Sequence, residues 1–418
     1  MDGGGQVPES RLLADEVVPA WLAAEPDRLL EFARASRHPE GGFTWLDERG
    51  RPVRERPVET WITCRMTHVF ALAAAEGRSG YTEFAEHGIA ALTGLLRDDE
   101  HGGWFASATA AGPVVDDKRA YEHGFVILAT ASAAAAGIDG ARVLLDEALA
   151  VFDERFWEPA AGLAADVWDR GWTRLEPYRG ANANMHAVEA LLAAAGITGD
   201  PRLLERAARI VERLVGRVAR GHGWRLPEHF TAEWTEVPEY HRDDPAHPFR
   251  PYGVTIGHLF EWARLAVHVR TALGSRAPEW LLESARCLFD TAVRDGWSVD
   301  GADGFVYTTD FAGTPVVRSR LHWVVAEAMA AAWVLHQATG DAQYLVRFRR
   351  WCEYAEKYFV DRENGSWHHE LDHGNAPAAA VWPGKPDVYH AYQAALITRL
   401  PVCASFAGGV VAGRSGGG

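Results

Sequence analysis

HGGWF, residues His101–Phe105, followed by HGFVILATASAAAAG, residues His123–Gly137, is the stretch that decides the fold. A short glycine and aromatic segment comes first, then a helical run so rich in Ala and other small apolar residues that it has no polar face. A helix apolar on all sides is buried, whereas one with a single apolar stripe faces water. The residues just before His101, EFAEHGIAALTGLLRD from Glu83, are of the second kind. One unit is therefore an outer amphipathic helix, a glycine-aromatic turn and an inner apolar helix.

The unit recurs. Glycine-aromatic segments stand at GGFTW (Gly41–Trp45), AGLAADVW (Ala161–Trp168), HGW (His222–Trp224), DGFVY (Asp303–Tyr307) and GSWHHE (Gly365–Glu370). With Phe43, Trp104, Leu163, Trp224, Phe305 and Trp367 as register marks, successive steps are 61, 59, 61, 81 and 62 residues. Internal repetition of this kind marks an array of supersecondary units that bury their apolar faces on one another. Inner runs such as RMTHVFALAAAEG (Arg65–Gly77) and MHAVEALLAAAG (Met185–Gly196) alternate with charged outer ones such as ARVLLDEALAVFDERF (Ala141–Phe156). Six copies predict an all-α fold, an (α/α)6 barrel with inner and outer helix rings and short β-hairpin-like turns at one end. The expected single domain runs over 11–403, with 1–10 and 404–418 as flexible glycine-rich tails. The long step holds HRDDPAHPFRPYG, whose prolines forbid a continuous helix, so residues 235–257 are expected as a loop over the cavity mouth.

Composition narrows the function. A net charge of -15 over 418 residues argues against a nucleic-acid partner, which needs a basic stripe. No apolar run reaches the roughly 20 residues that span a bilayer, and MDGGGQVPES lacks the basic start and apolar core of a signal peptide, so a cytoplasmic protein without a membrane partner is expected. Cys64, Cys287, Cys352 and Cys403 stand far apart and form neither a disulfide framework nor a zinc knuckle pattern.

The starts of the inner helices carry the chemistry: Arg65 with His68, Tyr121 with His123, Asn182 with Asn184 and His186, His258 with Glu261, His322 with Trp323, and Tyr389 with His390. In such a barrel all would face one cavity. A glycosidase would need a pair of carboxyl groups there, whereas imidazoles outnumber carboxylates. Imidazole titrates near pH 6.5, so it accepts and donates protons at neutrality and suits proton transfer beside a carbonyl. Sugar isomerisation or epimerisation follows as the candidate chemistry. Trp61, Trp104, Trp323, Trp367 and Trp382 are candidates for stacking on a sugar face. His258 with Glu261, His186 with Glu189, and the run His368, His369, Glu370 and His373 also have metal-ligand spacing. The same spacing lets each carboxylate fix its own histidine, and the expectation is a site with no metal and no cofactor.

Four motifs, RMTHVFALA (Arg65–Ala73), RGANANMHAVEA (Arg179–Ala190), FRPYGVTIGHLFEWARL (Phe249–Leu265) and KPDVYHAYQA (Lys385–Ala394), resemble the N-acylglucosamine 2-epimerase superfamily in family order. ETWITCRMTH and PYGVTIGHLFEW are most similar to its mannose isomerase and sulfoquinovose isomerase branch. The resemblance implies an (α/α)6 barrel that acts on an open-chain sugar without a cofactor. It implies His186 as the ring-opening or orienting residue, and His258 coupled to Glu261, with His390, as the acid/base apparatus. Arg65 would hold the oxygens, with Trp61, Tyr121, Asn182, Met185 and Trp323 binding substrate. The expected reaction interconverts mannose and fructose, with glucose or lyxose and xylulose as further substrates, through a cis-enediol. The expected assembly is a monomer or homodimer. Alternatives are a 2-epimerase of N-acylglucosamine, glucose/mannose or cellobiose type, and a non-catalytic sugar-binding barrel.

Overall fold

The computed structural model describes residues 17–415, so the expected N-terminal tail at 1–10 lies outside the described residues. Twelve helices alternate between two rings. The outer ring is α1 (Ala20–Ala33), α3 (Thr82–Thr93), α5 (Ala141–Val151), α7 (Pro201–Val211), α9 (Trp280–Gly296) and α11 (Ala342–Tyr358). The inner ring is α2 (Thr60–Ala75), α4 (Ala120–Ala135), α6 (Ala181–Thr198), α8 (Ile256–Leu273), α10 (His322–Thr339) and α12 (Tyr389–Leu396), and α12 packs back on α2 to close it. Burial follows the sequence pattern. Every residue of α2 except Ala74 is buried, while α7 buries only Leu203, Ala207, Ile210 and Val211, a single stripe. This is the (α/α)6 barrel that the repeat predicts.

What aligns the inner helices is backbone chemistry. A helix start leaves four N–H groups without intrahelical partners, and the first five inner helices have no side-chain N-cap. Their first amides instead donate to a carbonyl of the next unit: Thr60 to Ala106, Ala120 to Asp166, Ala181 to Glu228, Ile256 to Tyr307 and His322 to His369, at 2.8–3.1 Å. Two- and three-residue strands pair beside each bond, as in Val58–Glu59 with Ser107–Ala108 and Arg320–Leu321 with Glu370–Leu371. The sixth inner helix has no following unit, and Asp387 takes the place of the missing carbonyl. Its Oδ1 accepts from the Tyr389 amide at 2.9 Å while its Oδ2 accepts from Arg65 Nη1 of α2 at 3.2 Å, stitching the two ends of the ring.

Residues 238–253 run without regular structure, and Pro248, Phe249 and Pro251 line the cavity. The loop expected over 235–257 ends earlier than its prediction, because Val254–Thr255 is a strand and α8 begins at Ile256. Two stacking candidates are core instead. Trp104 donates to Leu92 O and Trp367 to Glu25 Oε1, each at 2.7 Å, and both rings are fully buried away from the cavity.

The C-terminal segment departs most from its sequence reading. Residues Phe406–Ser415, expected within a flexible tail, form a helix, α13, packed on α2, α4 and α6. Phe406, Ala407 and Val410 are buried, and Arg414 comes beside Gly77 past the C-terminus of α2, so α13 stoppers the end of the barrel opposite the rim. Phe406→Ala should therefore cost about 3–5 kcal/mol, as for a large buried ring, read as a lowered denaturation midpoint. A change under about 0.5 kcal/mol, the range of ordinary surface substitutions, would return the segment to a tail.

Candidate active site

The rim bonds and Asp387 bring six helix N-termini around one cavity. Trp61, Arg65, Tyr121, Asn182, His186, His258, Glu261, Trp323 and His390 line it, so nine of the ten expected site residues meet there. Met185, the tenth, is fully buried in the packing of α6 and does not line the cavity, since it neighbours His186 on the helix and points elsewhere. Three further helix-start residues are structural. Asn184 bonds the backbone of Ala164 and Gly180, His123 sits between Arg119 O and the Trp104 amide, and His68 bonds Ser132 and Gln393 below the cavity.

Two histidines are oriented by carboxylates from other parts of the chain. His258 Nδ1 lies 2.9 Å from Glu228 Oε1, so its partner is Glu228 and not Glu261. Residues three apart on a helix share a face, but both side chains then lean toward the helix N-terminus and run alongside one another. Glu228, carried on the neighbouring unit's rim bond, meets His258 head on. His390 Nδ1 lies 2.9 Å from Glu327 Oε1 of α10. In each pair the carboxylate holds Nδ1 as the donor and leaves Nε2 for a ligand. Trp323 stands between them, its ring 5.3 Å from His258 and 5.7 Å from His390. Gly257 makes this possible, because a Cβ there would fall 2.2 Å from the Trp323 ring.

Arg65 donates to Asp387 and, at 2.9 Å, to the Tyr121 hydroxyl, and lies against the rings of Trp61, Phe125 and Tyr389. Burial works against its charge, but Tyr121 and Asp387 more than offset this and keep it protonated. Glu261 is the opposite case. Burial and the neighbouring Glu327 push its carboxyl well above the usual range, which favours its protonated form. His186 stands 3.7 Å from Glu261 Oε1 and 3.9 Å from Glu189 Oε2, packed on Tyr121 and Phe125. His322 and His369, which also line the cavity, stack at 3.8 Å.

Among the described residues, two groups have donor atoms close enough to hold a metal, His186–Glu189–Glu261 and Glu261–Glu327–His390. The guanidinium of Arg264 already stands among their carboxylates, 2.9 Å from Glu327, 3.5 Å from Glu261 and 3.9 Å from Glu189, and supplies the positive charge that a cation would bring. Among His368, His369, Glu370 and His373, only His369 reaches the cavity, and Glu370 is engaged by the amides of Val381 and Trp382.

Several buried polar atoms of the cavity residues have no partner: Asn182 Oδ1, His186 Nδ1, Glu261 Oε2, His322 Nε2 and His369 Nε2. Buried polar groups are normally paired, and these converge with Trp61, Trp323 and Trp382 on one space. Carboxylate-paired imidazoles and a fixed cation thus stand around a pocket of aromatic walls at one end of an (α/α)6 barrel. Residues 41–394 match the family model of N-acylglucosamine 2-epimerase (GlcNAc 2-epimerase). The chain is 57% identical over 391 residues to a D-mannose isomerase of Thermobifida fusca, covering 93% of this chain and 96% of that one. It superposes on a crystal structure of a D-mannose isomerase with a TM-score of 0.85 at 30% identity, covering 91% of this chain and 99% of that one. On cellobiose 2-epimerase from Spirochaeta thermophila DSM 6192 the TM-score is 0.81 at 22% identity, covering 94% and 98%, a likeness of fold. The chain belongs to the N-acylglucosamine 2-epimerase family, and it is an isomerase. No helix among the described residues is long and apolar enough to cross a membrane.

Burial also fixes how the fold responds to acid. It lowers His68, His186 and His268 to about 4, and His123 and His322 to about 3. An unfolded histidine binds its proton below about pH 6.5, whereas these stay neutral in the folded chain. Acidification therefore favours the unfolded state by up to about 1.4 kcal/mol per pH unit for each. The thermal midpoint should fall steadily from pH 6.5 to 4.5; a flat profile there would contradict the buried, neutral assignment.

Proposed function

We propose that this isomerase interconverts D-mannose and D-fructose by moving a proton between C2 and C1 of the open-chain sugar through a cis-enediol. The observation that carries the reading is the pair of carboxylate-oriented imidazoles, His390 with Glu327 and His258 with Glu228, set around Trp323 in a cavity of unpartnered polar atoms. The likeness to D-mannose isomerases supports the choice of sugar.

In this reading His390 Nε2 takes the C2 proton and returns it to C1 on the same face. Burial holds His390 below the ordinary imidazole range against the pull of Glu327, so it is neutral and able to accept. Arg65, kept charged between Tyr121 and Asp387, balances the negative charge that develops on the enediol oxygens. His258, oriented by Glu228, carries the proton between O1 and O2. His186 serves ring opening, and Glu261, as a neutral acid, donates a hydrogen bond. Trp61, Tyr121, Asn182 and Trp323 hold the chain of hydroxyls.

Mannose incubated with the protein should yield fructose by NMR. Glucose formed without fructose would assign 2-epimerisation instead, which needs a second acid on the opposite face of C2. His390→Ala should lose about 10²–10⁴-fold in kcat, and near-normal turnover would remove it as the base. Glu228→Gln should lose at least about tenfold, because its carboxylate sets the His258 tautomer. The acid limb of kcat/KM should lie below about pH 6.5, the unperturbed imidazole value, with activity lost as pH falls through the lowered value of His390.

A further inference from the structure

Arg264 does not line the cavity. It lies one turn after Glu261 on α8 and is 1% exposed. Its Nε donates to Glu327 Oε2 at 2.9 Å, and the other oxygen of that carboxylate is the one that holds His390 Nδ1, also at 2.9 Å. Guanidinium, carboxylate and imidazole thus form one continuous chain from the barrel interior to the cavity. The guanidinium also lies over the Phe406 ring of α13, 5.7 Å from its centre.

Three carboxyl groups surround this one cation, and their hydrogen bonds distinguish them. Glu189 accepts from the Tyr389 hydroxyl and, at 3.0 Å, from Gln393 Nε2. Glu327 accepts from Arg264 and His390. Glu261 has Arg264 only at 3.5 Å, and its Oε2 has no partner. Donors make Glu189 and Glu327 the ionised pair and leave Glu261 as the group that keeps its proton. The other charged or titratable neighbours include His186 of α6, His268 of α8, His322 of α10, Tyr389 and His390 of α12, Asp387 just before α12, Arg65 and His68 of α2, and Cys403. Of these only Arg65 is another fixed cation, and it is committed to Asp387 and Tyr121.

We propose that Arg264 is a positioning residue of the reaction: it decides which of the three buried carboxyl groups stays protonated and, through Glu327, fixes the tautomer and orientation in which His390 meets the sugar. The proposal rests on reading His390 as the base. In keeping with it, burial would raise the Glu327 carboxyl, and Arg264 is the largest of the influences that hold it below the usual range instead.

Arg264→Met and Arg264→Lys test it, with two readouts. Arg264→Met should lower kcat by about 10²-fold with KM changed less than about threefold, because no substrate contact is lost. Its acid limb should move up by about one pH unit, because removing a nearby cation raises both Glu327 and His390. Arg264→Lys keeps the charge without the Nε–H, so it should return the limb toward its original position and recover kcat only in part. The second readout needs no sugar: the ¹⁵N spectrum of His390, assigned by loss of its signals in His390→Ala, should show a single Nδ1–H tautomer at pH 7 in the parent and a mixture in Arg264→Met. Should Arg264→Met fail to fold, Arg264→Lys carries the test, with reduced kcat, unchanged KM and a mixed tautomer. An unshifted limb with an unchanged ¹⁵N pattern, or kcat restored in full by Lys, overturns the proposal. If His390→Ala stays active while the ¹⁵N pattern still changes in the Arg264 variants, the base assignment fails and the positioning geometry stands.

Discussion

Six helices whose N-termini meet around one pocket present a concentration of unpaired N–H groups that neither water nor apolar packing can satisfy. The bond from the first amide of five inner helices to a carbonyl of the following unit, and of the sixth to the Asp387 carboxylate, meets part of this demand. The location of the site follows from it. Because each helix is gripped at its first residue, the residues one turn inward, Arg65, His186 and Glu261, and those at the first turn, Tyr121, His258, Trp323 and His390, all line one cavity. The grip also brings the next unit's side chains into range, as with Glu228, whose carbonyl caps α6 while its carboxylate meets His258 on α8.

Inside the rim, charge is the second constraint. The cavity floor holds more carboxyl groups than cations, in surroundings where an unbalanced charge is costly. The result is a division of surroundings among chemically identical side chains: donors favour the charged form of Glu327 behind His390 and of Glu189 under Tyr389 and Gln393, while burial and Glu327 push Glu261 toward its protonated form. Arg65 is balanced separately by Asp387. A site of this kind can hold acid and base side by side at one pH.

The barrel was legible because both of its signals live in side chains. An inner helix such as Met185–Gly196 is apolar all round, an outer one such as Arg202–Val218 has one stripe, and the glycine-aromatic marks keep their spacing. The rim strands were visible only as turns, since two residues are too few to show a period of two and a backbone bond leaves no trace in residue identity. The same limit explains the site. Histidines at helix starts announce themselves, but the partners of His258 and His390 come from 30 and 63 residues away, so local spacing pointed to Glu261 in place of Glu228. The C-terminal residues were misread because glycine dominates their composition, while the few large side chains, Phe406 and Val410, do the anchoring.

The seam of the ring has a bearing on synthesis. Asp387, just before the last inner helix, and His390, on it, are translated after every other cavity group. Until they emerge, α2 lacks its neighbour, Arg65 lacks its carboxylate and Glu327 has no imidazole to hold. A nascent chain that has not yet reached Asp387 therefore has an open seam, with the Arg65 guanidinium and the Glu327 carboxylate both short of the partner that the last inner helix brings.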